Sequence, residues 1–239
     1  MTIAIRGTVQ SGSGTNGINH TAITGVTAGD LYLDIAHNTG GASGPTLDAT
    51  YTFTSIGSGT DGSGRTWNYG RRVATGAETG MVVTATGSQP ANIFLALSGI
   101  DTTTPIESYV QANGSFGTTA ICAASTPTAD NCWHVVVFAE TNSGSKTLTT
   151  PSGYTALGSF VNVAGQGSMY AFYKDLGAGS SGVSTGTVSG VWNNNTIPFS
   201  AGFIVRAAGG GVGATISTIT GTTATEASAV VFTVTMSGT

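Results

Sequence analysis

Charged residues are scarce in this chain. They make up 8% of its 239 residues, against about 25% in an average globular domain. The seven lysines and arginines are spread along the sequence, and Arg71 and Arg72 form the only adjacent pair. Surfaces that bind nucleic acid carry clustered basic residues, which neutralise phosphates. The sequence therefore argues against nucleic-acid binding.

Long apolar runs are also missing. No run approaches the roughly 20 residues that cross a bilayer as a helix, so we expect no membrane partner. Residues Met1 to Arg6 lack the apolar core of a signal peptide and pass directly into strand-like sequence. This start predicts synthesis in the cytoplasm without a cleaved leader.

Cysteine occurs only at positions 122 and 132. The two lie symmetrically about Pro127, in a segment that is typical of a strand, a turn and a second strand. In a tight hairpin they would face each other, which makes a cross-strand disulfide conceivable. We favour two buried free thiols, because such bridges are strained and the cytosol is reducing. Two thiols without further Cys or His ligands nearby predict no metal site.

No catalytic pattern is recognisable in the sequence. Its histidines, His20, His37 and His134, show no metal-binding spacing, and no Gly-x-Ser-x-Gly elbow lies between a strand and a helix. The acidic residues are scattered. Asp30 and Asp34 share one face of one strand, where we expect a solvated surface. We therefore predict no catalytic residue, no metal and no cofactor, and a protein that is not an enzyme.

Glycine is abundant instead, with 37 residues, and threonine and serine are frequent. Glycine and β-branched threonine both disfavour helices. Leu31 to Ile35 alternates with a period of two, as a half-buried strand does. Val135 to Phe138 is apolar on both faces and predicts a fully buried strand. These features predict an all-β fold without helices.

The chain also repeats itself after about a hundred residues. At one common offset Leu31 falls on Cys132, and a fixed period usually marks a duplicated unit that packs against its copy. We predict two β-sandwich lobes, 1–105 and 106–208, docked through the short, proline-stiffened segment 101–105. Two further pairs share this offset: Val9-Gln10 with Val110-Gln111, and Thr27-Ala28 with Thr128-Ala129.

Residues 209–239 differ in character from the rest. A glycine hinge is followed by two strand-like stretches, and the second places four apolar side chains on one face: Val230, Phe232, Val234 and Met236. So short a piece cannot bury such a face alone. It pairs with a sheet edge of its own chain or of a neighbour, or it begins a further domain. We take these four residues as the candidate interface with another subunit.

The three tryptophans are candidates either for the core or for ligand contact. Trp133 lies beside a run of valines, and we expect it in the core. Trp192 precedes three asparagines and is the best candidate for an exposed contact, with Trp67 as the second. Exposed indoles stack on sugar rings, although aromatic residues more commonly fill sandwich interiors.

Short motifs mark the ends and the junction of the two lobes. They are Ile3–Arg6, Thr27–Leu33, Leu97–Ile106 (LSGIDTTTPI), Pro151–Thr155, Tyr173-Lys174 and Ile204–Ala208. Together they resemble a two-lobed β-sandwich family of virion accessory proteins in tailed bacteriophages, and the junction is similar to that family's YSGVDTTTPI. Residues 216–239 resemble the opening of a Calx-β or Ig-like repeat.

The resemblance implies a duplicated antiparallel β-sandwich, with jelly-roll or lectin-like lobes and a short C-terminal β extension. It implies a non-enzymatic virion structural protein, foremost a capsid decoration protein of cement or head-fibre type. The expected partners are the major capsid protein or other virion proteins, and further copies in a homo-oligomer. The alternative is a tail- or fibre-associated receptor-binding module for cell-surface glycans, with Trp192 and Trp67 as candidate contacts.

Overall fold

The computed structural model describes residues 2–13, 18–38, 51–60, 66–78, 83–85, 90–140, 146–160 and 167–209. Within these ranges the chain forms fifteen β-strands and no helix, and thus no helix that could cross a membrane. The strands are β1 (Ala4–Ser13), β2 (Ile18–His20), β3 (Leu31–Asn38), β4 (Thr54–Thr60), β5 (Thr66–Val73), β6 (Val83–Ala85), β7 (Pro90–Ser98), β8 (Ile106–Asn113), β9 (Gly117–Cys122), β10 (Trp133–Glu140), β11 (Leu148–Thr149), β12 (Thr155–Phe160), β13 (Met169–Asp175), β14 (Val188–Thr196) and β15 (Pro198–Val205).

Two five-stranded antiparallel sheets form the centre of the molecule, one from each half of the chain. The first has the order β1-β7-β3-β5-β4, and the second has the order β8-β15-β10-β13-β12. The strands of the two sheets correspond one to one in these orders, for example β3 to β10 and β5 to β13. The repeat in the sequence is therefore also a repeat in strand topology. The predicted all-β, duplicated antiparallel sandwich is confirmed.

The central strands show that the alignment of the two copies that places Leu31 on Cys132 is wrong by one residue. Leu31 pairs with Leu97 of β7. Trp133, not Cys132, takes the corresponding place opposite Val205 of β15. Because a shift of one residue exchanges the two faces of a strand, only this alignment directs equivalent side chains to the same side.

The two five-stranded sheets pack face to face on one shared core. Trp67 of the first sheet and Phe199 of the second lie with their ring centroids 4.0 Å apart. The predicted boundary near residue 105 falls between β7 and β8, where the chain passes from one sheet to the other. The largest contributors to this core come from both halves: Leu31, Leu33, Ile35, Trp67, Tyr69, Ile93, Leu95, Leu97, Trp133, Val135, Val137, Phe199, Phe203 and Val205.

Further layers cover the outer faces of both sheets. A three-stranded sheet of order β11-β14-β9 lies over the second sheet, where Val188 and Trp192 pack on Val136, Phe138 and Phe172. Over the first sheet, Tyr32 and Phe94 pack with Ile23 and with residues 22, 26, 51 and 53, near the two-stranded sheet of β2 and β6. The central strands β3, β10 and β15 are therefore buried on both faces, whereas the edge strands β4 and β8 are partly exposed.

This layering explains two wrong predictions and one confirmed prediction. β3 is not half-buried, because all eight of its residues are buried. The solvated face expected for Asp30 and Asp34 is wrong as well: both are buried, and the Asp34 carboxylate accepts a hydrogen bond from the Asn92 amide. The prediction of a fully buried Val135–Phe138 strand is confirmed by β10.

The two cysteines are buried free thiols, which confirms the favoured interpretation. The hairpin expected about Pro127 is wrong, however. Cys122 ends β9, which pairs with β14 in the three-stranded sheet. Cys132 directly precedes β10 in the second five-stranded sheet and packs in a different apolar cluster. The segment between them crosses from one layer to the next instead of turning back on itself.

Candidate functional site

Trp67 is a core residue. It lies on β5 with 2% of its surface exposed, which supports the core alternative over an exposed ligand contact. Its indole Nε1 donates hydrogen bonds to the Tyr109 hydroxyl at 3.0 Å and to Gln111 Oε1 at 3.2 Å. These bonds cross from the first half of the chain to β8 of the second half. Trp67 thereby joins the two sheets near one of their edges.

Trp192 is also 2% exposed, so of the two alternatives, core and ligand contact, the structure supports the core. β14 alternates strictly over Val188 to Trp192, and Trp192 falls on the face that packs on the second sheet. Its ring meets Tyr170 edge-on at a centroid distance of 5.8 Å. The polar signal that suggested exposure comes from Asn193 to Asn195, which are exposed. The prediction that Trp133 lies in the core is confirmed.

His134 and Cys122 lie on the two sides of one contact between layers. A Cβ built on Gly202 would meet Cys122 Sγ at 2.7 Å and His134 Nε2 at 3.1 Å, and His134 Nδ1 lies 2.7 Å from the Tyr154 hydroxyl. Burial and the charge of Lys174 lower the pKa of His134 to about 4. Burial raises the pKa of Cys122 to about 12. The thiol is therefore neutral at pH 7, and this pair does not provide the thiolate that Cys–His nucleophilic catalysis requires.

Glu78 is a carboxylate that accepts four hydrogen bonds. Its oxygens accept bonds from the backbone N–H and hydroxyl of Thr75, both at 2.8 Å, from Gly76 N at 2.9 Å and from Arg72 at 3.1 Å. Burial would raise its pKa, but these donors lower the pKa to about 2. A cavity of about 220 Å³ lies beside Glu78 and Tyr32. The carboxylate is ionised at neutral pH and bound to its own chain, as a structural brace is.

No metal cluster occurs in the part of the chain that the structure describes, which holds no group of three or more His, Cys, Asp or Glu side chains placed to bind an ion. His20 stacks on Phe94 at 5.9 Å, and His37 packs against Phe199 at 6.0 Å. The histidines thus lie in different layers of the molecule.

An uncharged surface with exposed apolar side chains covers the outer side of the three-stranded sheet. Ile121 of β9 is 54% exposed and Val191 of β14 is 47% exposed, and the two lie diagonally across the β9–β14 pair. Phe116, in the turn that leads into β9, is 66% exposed. We call this surface, residues 116–121 with 189–193, the β9–β14 face. No residue in either range carries a charge.

Sequence reasoning missed the β9–β14 face, although the signal was present. Ala120 and Cys122 point inward while Ile121 points outward, and Gly190 and Trp192 point inward while Val191 points outward. A cavity of about 250 Å³ adjoins the face and is lined in part by Ile121, Asn113 and Pro198. The face therefore combines apolar contact groups, neutral hydrogen-bonding groups and a recess.

The residues predicted as sites do not form one site. Trp67 lies in the central core and Trp192 in the outer cluster. Val230, Phe232, Val234 and Met236 lie outside the described residues, so their role as an interface stays a prediction. Comparison with protein-family models, with curated proteins and with solved structures finds no match to this chain.

Proposed function

We propose that this chain is a non-enzymatic structural protein of the virion of a tailed bacteriophage, and foremost a capsid decoration protein. The observation that carries the proposal is the β9–β14 face. Interface cores are depleted in charged residues and enriched in aromatic and other apolar side chains. This face has that composition, with Phe116, Ile121 and Val191 exposed and no charge in its strands.

The short motifs described above lie outside this surface, and they resemble virion accessory proteins. This resemblance is the reason for proposing a virion as the structure to which the surface attaches. An uncharged contact surface suits attachment to a particle on which many copies are arranged at fixed positions. Binding there depends on shape and burial more than on electrostatic steering. The glycan-binding alternative depended on exposed indoles at Trp192 or Trp67, and both are buried. We therefore propose decoration alone.

The first test is the position and copy number of the chain on purified particles, measured by imaging and by quantitative gel. We expect hundreds of copies distributed over the head. A handful of copies at the tail tip would contradict decoration and return attention to receptor binding. Absence from every particle would contradict any virion role.

A second test uses matched substitutions on the surface. Ile121→Asp places an unpaired charge on the β9–β14 face, whereas Val183→Asp places one at a similarly exposed position (58%) in the loop between β13 and β14. Because both side chains are exposed, we expect both variants to fold. Ile121→Asp should reduce the copy number on particles about tenfold or more, since a buried, unpaired charge costs several kcal/mol. Equal copy numbers for the two variants would mean that attachment uses a different surface.

The predicted C-terminal interface has its own test. Deletion of residues 210–239 removes Val230, Phe232, Val234 and Met236 while leaving all fifteen strands. We expect the truncated chain to unfold at the same denaturant concentration as the full chain and to lose self-association. An unchanged oligomer, measured by light scattering, would contradict this interface without affecting the proposal for the β9–β14 face.

A further inference from the structure

Arg71 differs from the other arginines that the structure describes. Arg6 pairs with Asp30 at 3.3 Å, Arg72 with Glu78 at 3.1 Å, and Arg206 with Asp101 at 3.2 Å. Within the described ranges, Arg71 has neither an ion pair nor a hydrogen-bond acceptor for its side chain. A guanidinium is charged at every accessible pH and carries five N–H donors. The surroundings of Arg71 in the fold therefore determine which ligand its free donors could bind.

Arg71 lies at the seam between the two five-stranded sheets. Along β5 it alternates with the outer-facing positions and shares a face with Trp67, Tyr69 and Val73, which pack in the central core. Its neighbour on β4 is Thr54, and β4 and β8 are edge strands of the two sheets. A cleft of about 190 Å³ opens at this seam, between the two halves of the chain.

The acceptors that line this cleft are already engaged. The carboxylate of Glu107 binds the backbone N–H and the hydroxyl of Thr128, both at 2.8 Å, and Arg206 at 3.5 Å. The Tyr109 hydroxyl accepts a hydrogen bond from Trp67 and donates one to Gln111 at 2.8 Å.

The donors of the cleft, in contrast, are available. The Arg71 guanidinium lines the cleft and has no partner among the described residues. Ser55 also lines the cleft and is exposed. The cleft as it stands therefore offers a charged donor that lacks an acceptor. The complementary ligand carries negative charge and several acceptor oxygens.

The second copy of the repeat shows that the fold does not need a cation at this place. Arg71 pairs with Leu33 of β3, and the equivalent residue of the second sheet is Tyr173, which pairs with Val135 of β10. Tyr173 stacks on Trp133 with a centroid distance of 3.9 Å. The position is filled by an aromatic ring in one copy and by an unpaired guanidinium in the other.

We propose that the seam cleft between β4 and β8 binds an oxyanion, a carboxylate or a phosphate group, through the Arg71 guanidinium. The planar fork of arginine matches the paired oxygens of both groups. The proposal concerns this chain alone and does not rest on a virion role. An acidic side chain of a partner and a free anion present the same chemistry to the cleft.

The test is a titration followed by ¹H–¹⁵N NMR of the full chain. Sodium phosphate and sodium acetate are added separately, against sodium chloride at matched ionic strength, while the Arg71 Nε–H and Trp67 Nε1–H signals are recorded. Trp67 reports on the cleft because it donates to Tyr109 in the cleft wall. We expect saturable shifts with at least one of the two anions. Saturation by acetate would indicate a carboxylate ligand, and saturation by phosphate alone a phosphate ligand.

Two variants separate a specific site from general attraction of anions. Arg71→Gln should raise the anion concentration that half-saturates the Trp67 shift at least tenfold, because it removes the charged donor. Lys174→Gln removes the same charge from an exposed position on β13 and should leave the response unchanged. The proposal is overturned if neither anion exceeds the chloride control, or if Arg71→Gln, with its Trp67 signal still in the folded position, responds as the wild type does.

Discussion

At the scale of single residues, Gly202 lies at a close approach between the second five-stranded sheet and the three-stranded sheet that covers it. An added Cβ would lie 2.7 Å from Cys122 Sγ and 3.1 Å from His134 Nε2. Both side chains are buried and cannot move away freely. We expect Gly202→Ala to lower the free energy of unfolding by about 1–3 kcal/mol, as overpacking does.

Gly117→Ala is the matched control for Gly202→Ala, because the nearest atom to its Cβ is 3.9 Å away. Urea denaturation of both variants measures the difference in stability. If the two variants were equally stable, the layers at Gly202 would have more room than the distances indicate.

The buried imidazole of His134 makes stability depend on pH. Its pKa is lowered from 6.5 to about 4 by burial and by Lys174, so the unfolded chain binds this proton more tightly than the folded chain does. Stability is therefore fully present above about pH 6.5 and is lost as the pH falls towards 4. We expect His134→Gln to flatten the dependence of unfolding free energy on pH within this window.

His20 remains as a second contributor in that variant, since burial lowers its pKa as well. The stabilisation from Glu78 is lost at lower pH, because the pKa of this carboxyl falls from 4.5 to about 2. Urea denaturation of wild type and His134→Gln at several pH values between 4 and 7 gives the comparison. Parallel curves would show that His134 titrates normally.

At the scale of elements, the equivalent loops of the two copies are bound to equivalent strands by side chains of opposite charge. In the first copy, Arg6 of β1 pairs with Asp30, whose carboxylate also accepts the Thr27 N–H at 2.8 Å. In the second copy, Glu107 of β8 binds the N–H and hydroxyl of Thr128 directly. The recurrence of Thr-Ala in the sequence thus corresponds to a loop that is hydrogen-bonded or ion-paired to the neighbouring strand in both copies.

The segment that joins the two sheets is held by Asp101. One oxygen of its carboxylate accepts the N–H groups of Thr103 at 2.8 Å and Thr104 at 3.0 Å, and the other pairs with Arg206 at 3.2 Å. We expect Asp101→Ala to lower the free energy of unfolding by about 1–2 kcal/mol, because it removes a turn-stabilising acceptor. Thr102→Ala, in the same exposed turn, should change stability by less than about 0.5 kcal/mol. Thermal or urea unfolding measures the change in unfolding free energy of each variant. Equal changes in the two variants would contradict this role of Asp101.

At the scale of the whole molecule, the halves of the chain depend on each other because the central core lies between their sheets. Separated at residue 105, each half would expose the inner face of a five-stranded sheet, including Trp67 in one and Phe199 in the other. We expect fragments 1–105 and 106–209 to lack cooperative unfolding when alone and to regain it when produced together. Circular dichroism and NMR dispersion of each fragment provide the measurement. A fragment that folds alone would show that its outer layer suffices to stabilise it.

Local sequence determined the all-β class, the buried β10 strand, the two buried thiols and the place of Trp133 in the core. Each of these follows from composition or from a run of residues that is apolar on both faces, which needs no knowledge of the neighbours. Period-two alternation, however, shows only that a strand has two different faces, not what covers the second one. The tertiary structure decided that layers cover both central sheets. This buries Asp34 against expectation, and it decides between core and ligand contact for Trp67 and Trp192. It also decided the one-residue register between the copies and the unpaired Arg71 at their seam, because both depend on strands that are distant in sequence and adjacent only in the folded chain.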